Sequence, residues 1–142
     1  MTFSKLALVL FCSSFACMEA LAQRAHTPAA GTEERAAIMD ALREPVERDL
    51  KQKVIFKVDR LRVAGDWAYV RVSPTKPSGD EIDFSKTKYR EQVEEGMFDP
   101  QGEALLRLQD DGWKVVEWVF GGTDVASAEW GEKYDLPNSL LQ

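Results

Sequence analysis

The stretch VIFKVDRLRVAGDWAYVRV, residues 54–72, decides the fold. Val54, Phe56 and Val58 alternate, then Leu61 and Val63 alternate in the opposite phase. Alternation at period two is the signature of a strand with one buried face. A change of phase inside it calls for one extra residue, a bulge near Asp59-Arg60. Gly65-Asp66 is a two-residue hairpin signal, and Trp67 to Val72 is the returning strand. Closing the hairpin on that turn sets Val63 opposite Ala68 and Leu61 opposite Val70. One face then carries Leu61, Val63, Ala68, Val70 and Val72. The other carries Arg60, Arg62, Trp67, Tyr69 and Arg71.

Upstream of this hairpin the period changes. Thr32 is an N-cap candidate followed by Glu33 and Glu34, where the helix dipole favours acid. Ile38, Leu42, Val46 and Leu50 recur at helical spacing, and Pro45 inside the pattern predicts a kink or a second short helix. Residues 23–31, small and polar, read as a flexible leader. Downstream, Ser73 to Gly79 reads as a Pro-containing loop. Ser85 is placed to cap a helix in which Tyr89 and Val93 share a face, ending at Gly96. Leu105 to Gln109 and Trp113 to Phe120 form a second hairpin. A short helix starting at Thr123 or Asp124 reaches Trp130, with Gly131 as its stop.

The register of the second hairpin decides the meaning of Glu117. With Asp111-Gly112 alone as the turn, Glu117 joins Leu106, Leu108, Val115 and Val119 on the apolar face, where burial would raise its pKa. With Asp110-Asp111-Gly112 as the turn, Glu117 sits with Arg107, and Leu106, Leu108, Val116, Trp118 and Phe120 face inward. The second register leaves no charge stranded and is favoured, because an unpaired buried charge is costly.

The first 22 residues read as an address. Lys5 precedes an apolar run from Leu6 to Met18, broken only by Ser13 and Ser14, and Ala20-Leu21-Ala22 is a small-x-small exit before Gln23. That is the pattern of a secretory signal peptide cleaved between Ala22 and Gln23, and the run is too short for a membrane span. Cys12 and Cys17, the two cysteines of the chain, leave with it. The expected product is periplasmic or secreted, spans no membrane after signal removal, and has residues 32–142 as a single domain with a short C-terminal helix and tail.

Helix, hairpin, helix, hairpin and tail predict an α+β fold: an antiparallel sheet of about four strands packed against the N-terminal helix. The leading helix, the strand pair around Gly65-Asp66-Trp67 and the closing Asp111-Gly112-Trp113-Lys114-Val115-Val116 strand resemble the cystatin-like or nuclear transport factor-like superfamily. With Gly122-Thr123-Asp124 and Trp130 to Pro137 included, the chain resembles a group of uncharacterised exported bacterial proteins. The superfamily resemblance implies a cone-shaped sheet wrapped on a helix, in proteins some of which are enzymes and some of which only bind. It speaks for fold and leaves function open.

Composition narrows the chemistry. The chain has 142 residues, and 24 acidic side chains against 18 Lys and Arg give a net charge of −6, which argues against nucleic acid as a partner. His26 is the only histidine and lies in the leader, so neither a histidine base nor a His/Cys metal set is expected. Asp80, Glu81 and Asp83 lack the spacing of a helix-loop-helix calcium site and read as a solvated loop. No cofactor is implied. The face of Arg60, Arg62, Trp67, Tyr69 and Arg71 is the candidate binding surface, since arginines stacked on aromatics can hold sugars, anions or a partner protein. The expected function is an exported, soluble, non-catalytic domain that binds a small ligand or a protein, such as an inhibitor or an envelope accessory protein. The alternative is a small-molecule acid/base enzyme with a pocket between sheet and helix, using Glu117 or Asp59 with Tyr69. A structural homodimer is the third reading. Two rings carry too much apolar area to be left in water, so the Trp130 to Leu141 tail, a second subunit or the ligand is expected to cover them, and the tail is the cheapest of the three, being already tethered.

Overall fold

The computed structural model describes residues 24–122 and 124–142. The signal-peptide reading of residues 1–22, its exit at Ala22–Gln23, and the capping role considered for Thr123 lie outside the described residues. The architecture is α+β. Helix α1 (Glu33–Leu50) is followed by strands β1 (Ile55–Ala64) and β2 (Trp67–Thr75), then a one-turn helix α2 (Arg90–Glu94). Strands β3 (Asp99–Gln109) and β4 (Gly112–Gly121) follow. A 3-10 turn (Ala126–Ala128) and two short helices, α3 (Trp130–Lys133) and α4 (Asn138–Leu141), make up the tail. The four strands form one antiparallel sheet in the order β1-β2-β3-β4.

Helix α1 begins where its cap is written. Thr32 Oγ1 accepts from the Arg35 N–H, Glu33 and Glu34 occupy the first turn, and Lys51 ends the helix in the left-handed region at φ 55°. Pro45 neither breaks it nor opens a new helix: one helix runs 18 residues. The lost N–H is outweighed by the stripe of Ile38, Met39, Leu42, Val46 and Leu50, all buried against the sheet.

Register defines the two sheet faces. On the inner face the cross-strand rungs are Val63–Ala68–Leu106–Val115, Leu61–Val70–Ala104–Trp118 and Val58–Val72–Gly102–Phe120. The shift between Val58 and Arg60 is the phase change of β1, with Asp59 as the extra residue. Gly65 opens the first turn at φ 60°, the position a II′ turn reserves for glycine. β2 runs on through Pro74, paired with Phe56, so the Ser73–Gly79 loop starts later than expected. Proline is tolerated there because β3 pairs with β2 only from Trp67 to Val72, leaving that side of Pro74 without a ladder.

The second hairpin takes neither register whole. Gln109 pairs with Gly112, so Asp110-Asp111 is the turn, and a shift between Leu105 and Leu106 makes Val116 a bulge. Past the bulge, Ala104 faces Trp118 and Gly102 faces Phe120, the pairing of the three-residue-turn reading. Nearer the turn, Trp113 and Val115 take the inner positions expected of Val116. Leu108, expected in the core, is 44% exposed beside the turn, and Val116 is exposed too. Gly102 is required by this packing: a Cβ there would lie 2.1 Å from the Trp118 ring, which stacks on Phe120.

The segment between the hairpins is less helical than expected. α2 is a single turn capped at Tyr89 rather than Ser85, and Tyr89 is buried while Val93 is exposed. Tyr89 packs edge-on to Phe120 and its hydroxyl donates to Asp49, so its ring belongs to the core and not to a helix face. Burial, then the Asp49 charge, push its phenol well above the ordinary range. Residues 24–31, read as a flexible leader, run along β1: His26 and Val63 exchange two backbone hydrogen bonds of 2.8 Å. Gly131 lies inside α3 rather than ending it.

Candidate functional site

The outer face of the sheet has rungs of mixed chemistry. They read Arg60–Arg71–Glu103–Val119, Arg62–Tyr69–Leu105–Glu117 and Ala64–Trp67–Arg107–Lys114. All five residues of the expected binding face share it, because alternation carries them opposite Val70 and Val72. They do not form an open platform. The tail folds back over the middle rung, and Ala64, Tyr69, Leu105, Trp130, Leu136 and Leu140 make a second buried cluster. Tyr69 is 1% exposed and Trp130 covers it edge-on, with ring centroids 6.4 Å apart. Trp67 is half-covered by Tyr134 at 5.6 Å, while the Arg107 guanidinium lies over its ring at 5.0 Å. The tail is the cover over the rings, and it leaves a closed centre with arginines at its margins. The physical reason is the apolar area of two rings, which water would otherwise meet.

The residue that organises this face is Glu103, which the sequence did not single out. It is 8% exposed. Its carboxylate accepts from the Tyr69 hydroxyl at 2.8 Å, Arg71 Nη2 at 2.5 Å and the Ser127 N–H at 3.0 Å. Burial alone would raise its pKa. The Arg71 guanidinium, the Tyr69 hydroxyl and the Ser127 amide outweigh that and hold the carboxyl below its ordinary range. Burial pushes the Tyr69 phenol up; the Ser127 hydroxyl opposes this, and the Glu103 carboxylate, an anionic acceptor that favours the protonated phenol, adds to it.

The three acid/base candidates fall into three separate networks. Glu117 is on the outer face, but its partner is not Arg107, which reaches Asp66 instead at 3.3 Å. Lys133 Nζ sits 2.5 Å from Glu117 Oε1 and the Tyr134 hydroxyl donates to the same oxygen. Those two donors hold the Glu117 carboxyl low, the reverse of the shift that burial in an apolar face would give. Asp59, exposed at the β1 bulge, accepts from Ser73 Oγ at 3.1 Å. Tyr69 is committed to Glu103.

Among the hollows beside the tail, two lie at opposite ends of the Arg60–Val119 rung. One, of about 150 Å3, is lined by Arg71, Asp99, Gln101, Glu103 and Asp124. The other, of about 270 Å3, is lined by Thr27, Arg35, Asp59, Arg60, Arg62 and Gln142. Among the described residues no group of three or more His, Cys, Asp or Glu is arranged to hold a metal ion. None of their helices is long and apolar enough to cross a membrane. Comparison of the chain with protein-family models, curated proteins and solved structures gives no match.

Proposed function

We propose that the chain is an exported, non-catalytic binding domain whose ligand-contacting surface is the outer sheet face at the margins of the tail. The observation that carries this reading is the state of its carboxylates. Glu103 and Glu117, the two glutamates drawn onto that face, both have their proton affinity lowered by bound donors. A general acid or base working near neutrality needs the opposite shift, toward 7. Tyr69, Glu117 and Asp59 also have different partners, so no two of them share a proton. The enzyme alternative needs a pocket between sheet and helix. Ile38, Leu42, Val46, Val70 and Leu106 fill that layer with no exposed surface.

The helix-on-meander layout supports the cystatin-like or nuclear transport factor-like reading of the fold, and the Lys5-to-Ala22 pattern supports export to the periplasm or beyond. In this reading the partner is a small ligand or a protein, and an inhibitor or an envelope accessory role fits. The test is native mass spectrometry of the protein isolated from its own cells. Identification of a retained ligand or partner that is released chemically unchanged after incubation is the expected result. Conversion of that ligand to a product would return the enzyme reading.

A further inference from the structure

The arginine-lined hollow gathers arginines that, unlike most others among the described residues, have no carboxylate partner. Among the described residues, Arg43, Arg48, Arg71, Arg90 and Arg107 each pair with a carboxylate. Arg24, Arg35, Arg60 and Arg62 do not, and three of those four line one hollow. This happens in a chain of net charge −6, where acidic partners are abundant. What the three guanidiniums do touch is backbone. Arg35 Nη1 donates to Pro28 O at 3.1 Å, Arg60 Nη1 to Leu141 O at 3.5 Å, and Arg62 Nη2 to Ser139 O at 3.2 Å. A carbonyl accepts a hydrogen bond but carries no charge to neutralise the cation. Each guanidinium has five N–H donors, and the fold uses one of each in these contacts. Arg62 Nε is buried without an acceptor, the kind of orphan donor that calls for a missing group nearby.

The elements that bring them together are independent of one another. Arg35 comes from the first turn of α1, Arg60 and Arg62 from consecutive outward positions of β1, and Thr27 from the leader. The bulge at Asp59 sets this spacing, since it returns Arg60 to the outer face. Among the lining side chains Asp59 is the one carboxylate, and it accepts from Ser73; Gln142, the last residue, lines the hollow as well and brings its α-carboxylate. Three guanidiniums therefore outnumber the anionic groups, and the hollow keeps an excess of positive charge.

We propose that this hollow is a binding site for a small phosphate-bearing anion. Guanidinium groups match the oxygens of a tetrahedral oxyanion with paired donors, and the excess of positive charge favours an anion. About 270 Å3 holds the anion together with a small attached group. The negative field of the whole molecule repels extended polyanions and selects a small ligand. The site rests on the reading of the outer face as a binding surface, and supplies that surface with a ligand class.

Calorimetric titration of the protein with inorganic phosphate and with glycerol 3-phosphate at low ionic strength tests it. Saturable binding is expected, weakened at least tenfold in Arg60→Gln and in Arg35→Gln. Arg48→Gln, remote in an i,i+4 pair with Glu44, should leave it unchanged. Arg60 and Arg35 are chosen over Arg62, whose half-buried guanidinium bonds the tail at 3.2 Å and makes its variant a risk to folding; the Arg60 contact with the tail is exposed and longer, at 3.5 Å. Circular dichroism melts establish that the variants are folded. In a second arm, co-sedimentation with phosphatidate vesicles that is lost in Arg60→Gln would assign the phosphate to a lipid headgroup, and soluble binding without co-sedimentation to a free ligand. Absence of binding in both arms overturns the site, as does equal weakening by Arg48→Gln. A ligand retained by the native protein despite that absence would sink the arginine site alone. Turnover of the retained ligand would sink the wider reading.

Discussion

The inner and outer faces of the sheet are made by the same four strands and closed by different means. The inner face meets an 18-residue helix through three rungs that are apolar throughout. The outer face alternates charge and ring along each rung and is closed by two helices of one turn each. Leu105 and Leu106 mark the contrast, being adjacent in sequence, both fully buried, and on opposite faces. Burial in the first case is enforced by the longest helix among the described residues. In the second it lasts only as long as the tail stays docked. The lesson is that equal burial in a static structure does not mean equal stability, because cover that can detach yields locally.

The largest expected effect tests that contrast. Leu106→Ala should cost about 2–5 kcal/mol, the range for emptied core sites, because helix and sheet cannot collapse into the space. Leu105→Ala should cost less, about 2 kcal/mol, because the tail can shift to fill it. Urea melts of both variants decide it. Equal losses, or a larger loss for Leu105, would mean that the tail is as rigid a cover as α1.

The tail itself gives the next effect. Trp130→Ala should cost about 3 kcal/mol and Leu140→Ala about 2 kcal/mol, since each empties a buried site. The double variant should lose less than the sum, with a coupling of about 0.5–3 kcal/mol, because once the tail undocks its second anchor has nothing left to hold. Hydrogen exchange should then report protection lost in residues 126–141 and kept in β2 and β3. Loss of protection throughout the sheet would show that tail and sheet unfold as one unit.

Glu103 comes third. Glu103→Gln keeps the shape and removes the charge that Arg71, Tyr69 and Ser127 address, at a cost of about 1.5–3 kcal/mol at pH 7, the range for bonds to a charged group. The pH dependence follows from the direction of its shift. Its folded pKa lies below the unfolded value, so the stabilisation is complete above that value and is lost as pH falls through the folded one. Wild-type and variant stability curves should therefore converge on acidification. Curves that stay parallel down to pH 2 would show that the carboxyl contributes nothing as an ion.

What could be read in advance was the geometry, and what could not was the chemistry placed on it. The first hairpin was legible because Gly65-Asp66 marks its turn and the phase change of Val58 to Leu61 marks its bulge. Helix α1 was legible from Thr32 and the stripe at four-residue spacing. The bulge at Val116 left no such mark: Val115 and Val116 are both apolar, so alternation cannot register a slip between them. Leu108 was misplaced for that reason. Glu103 was hidden by its neighbours Gly102 and Ala104, which carry no strand signal of their own. Its role appears only when β3 is extended back to Asp99, which sets it opposite Arg71. Ser127, in a 3-10 turn of the tail, offers no periodicity at all.

The smallest effect separates the two carboxylates of the outer face. Glu117 has donors much like those of Glu103, a cation and a tyrosine hydroxyl, but its cation is the Lys133 ammonium on a solvent-facing stem. A pair of this kind forms in high dielectric, at a cost in side-chain freedom, and is worth about 0–1 kcal/mol. Glu117→Gln should therefore lose under about 1 kcal/mol at low salt, and even that should shrink as ionic strength rises past the point where the screening length falls below roughly 8 Å. The loss in Glu103→Gln should persist in the same salt series, because its side chain is shielded by Tyr69 and the tail. Salt titration of both variants by urea melts compares them directly. A large, salt-resistant loss at Glu117 would place the electrostatic centre of the face on β4. It would also reopen the acid/base reading, which needs a glutamate insulated from solvent, as Glu103 is, but without the donors that keep Glu103 ionised.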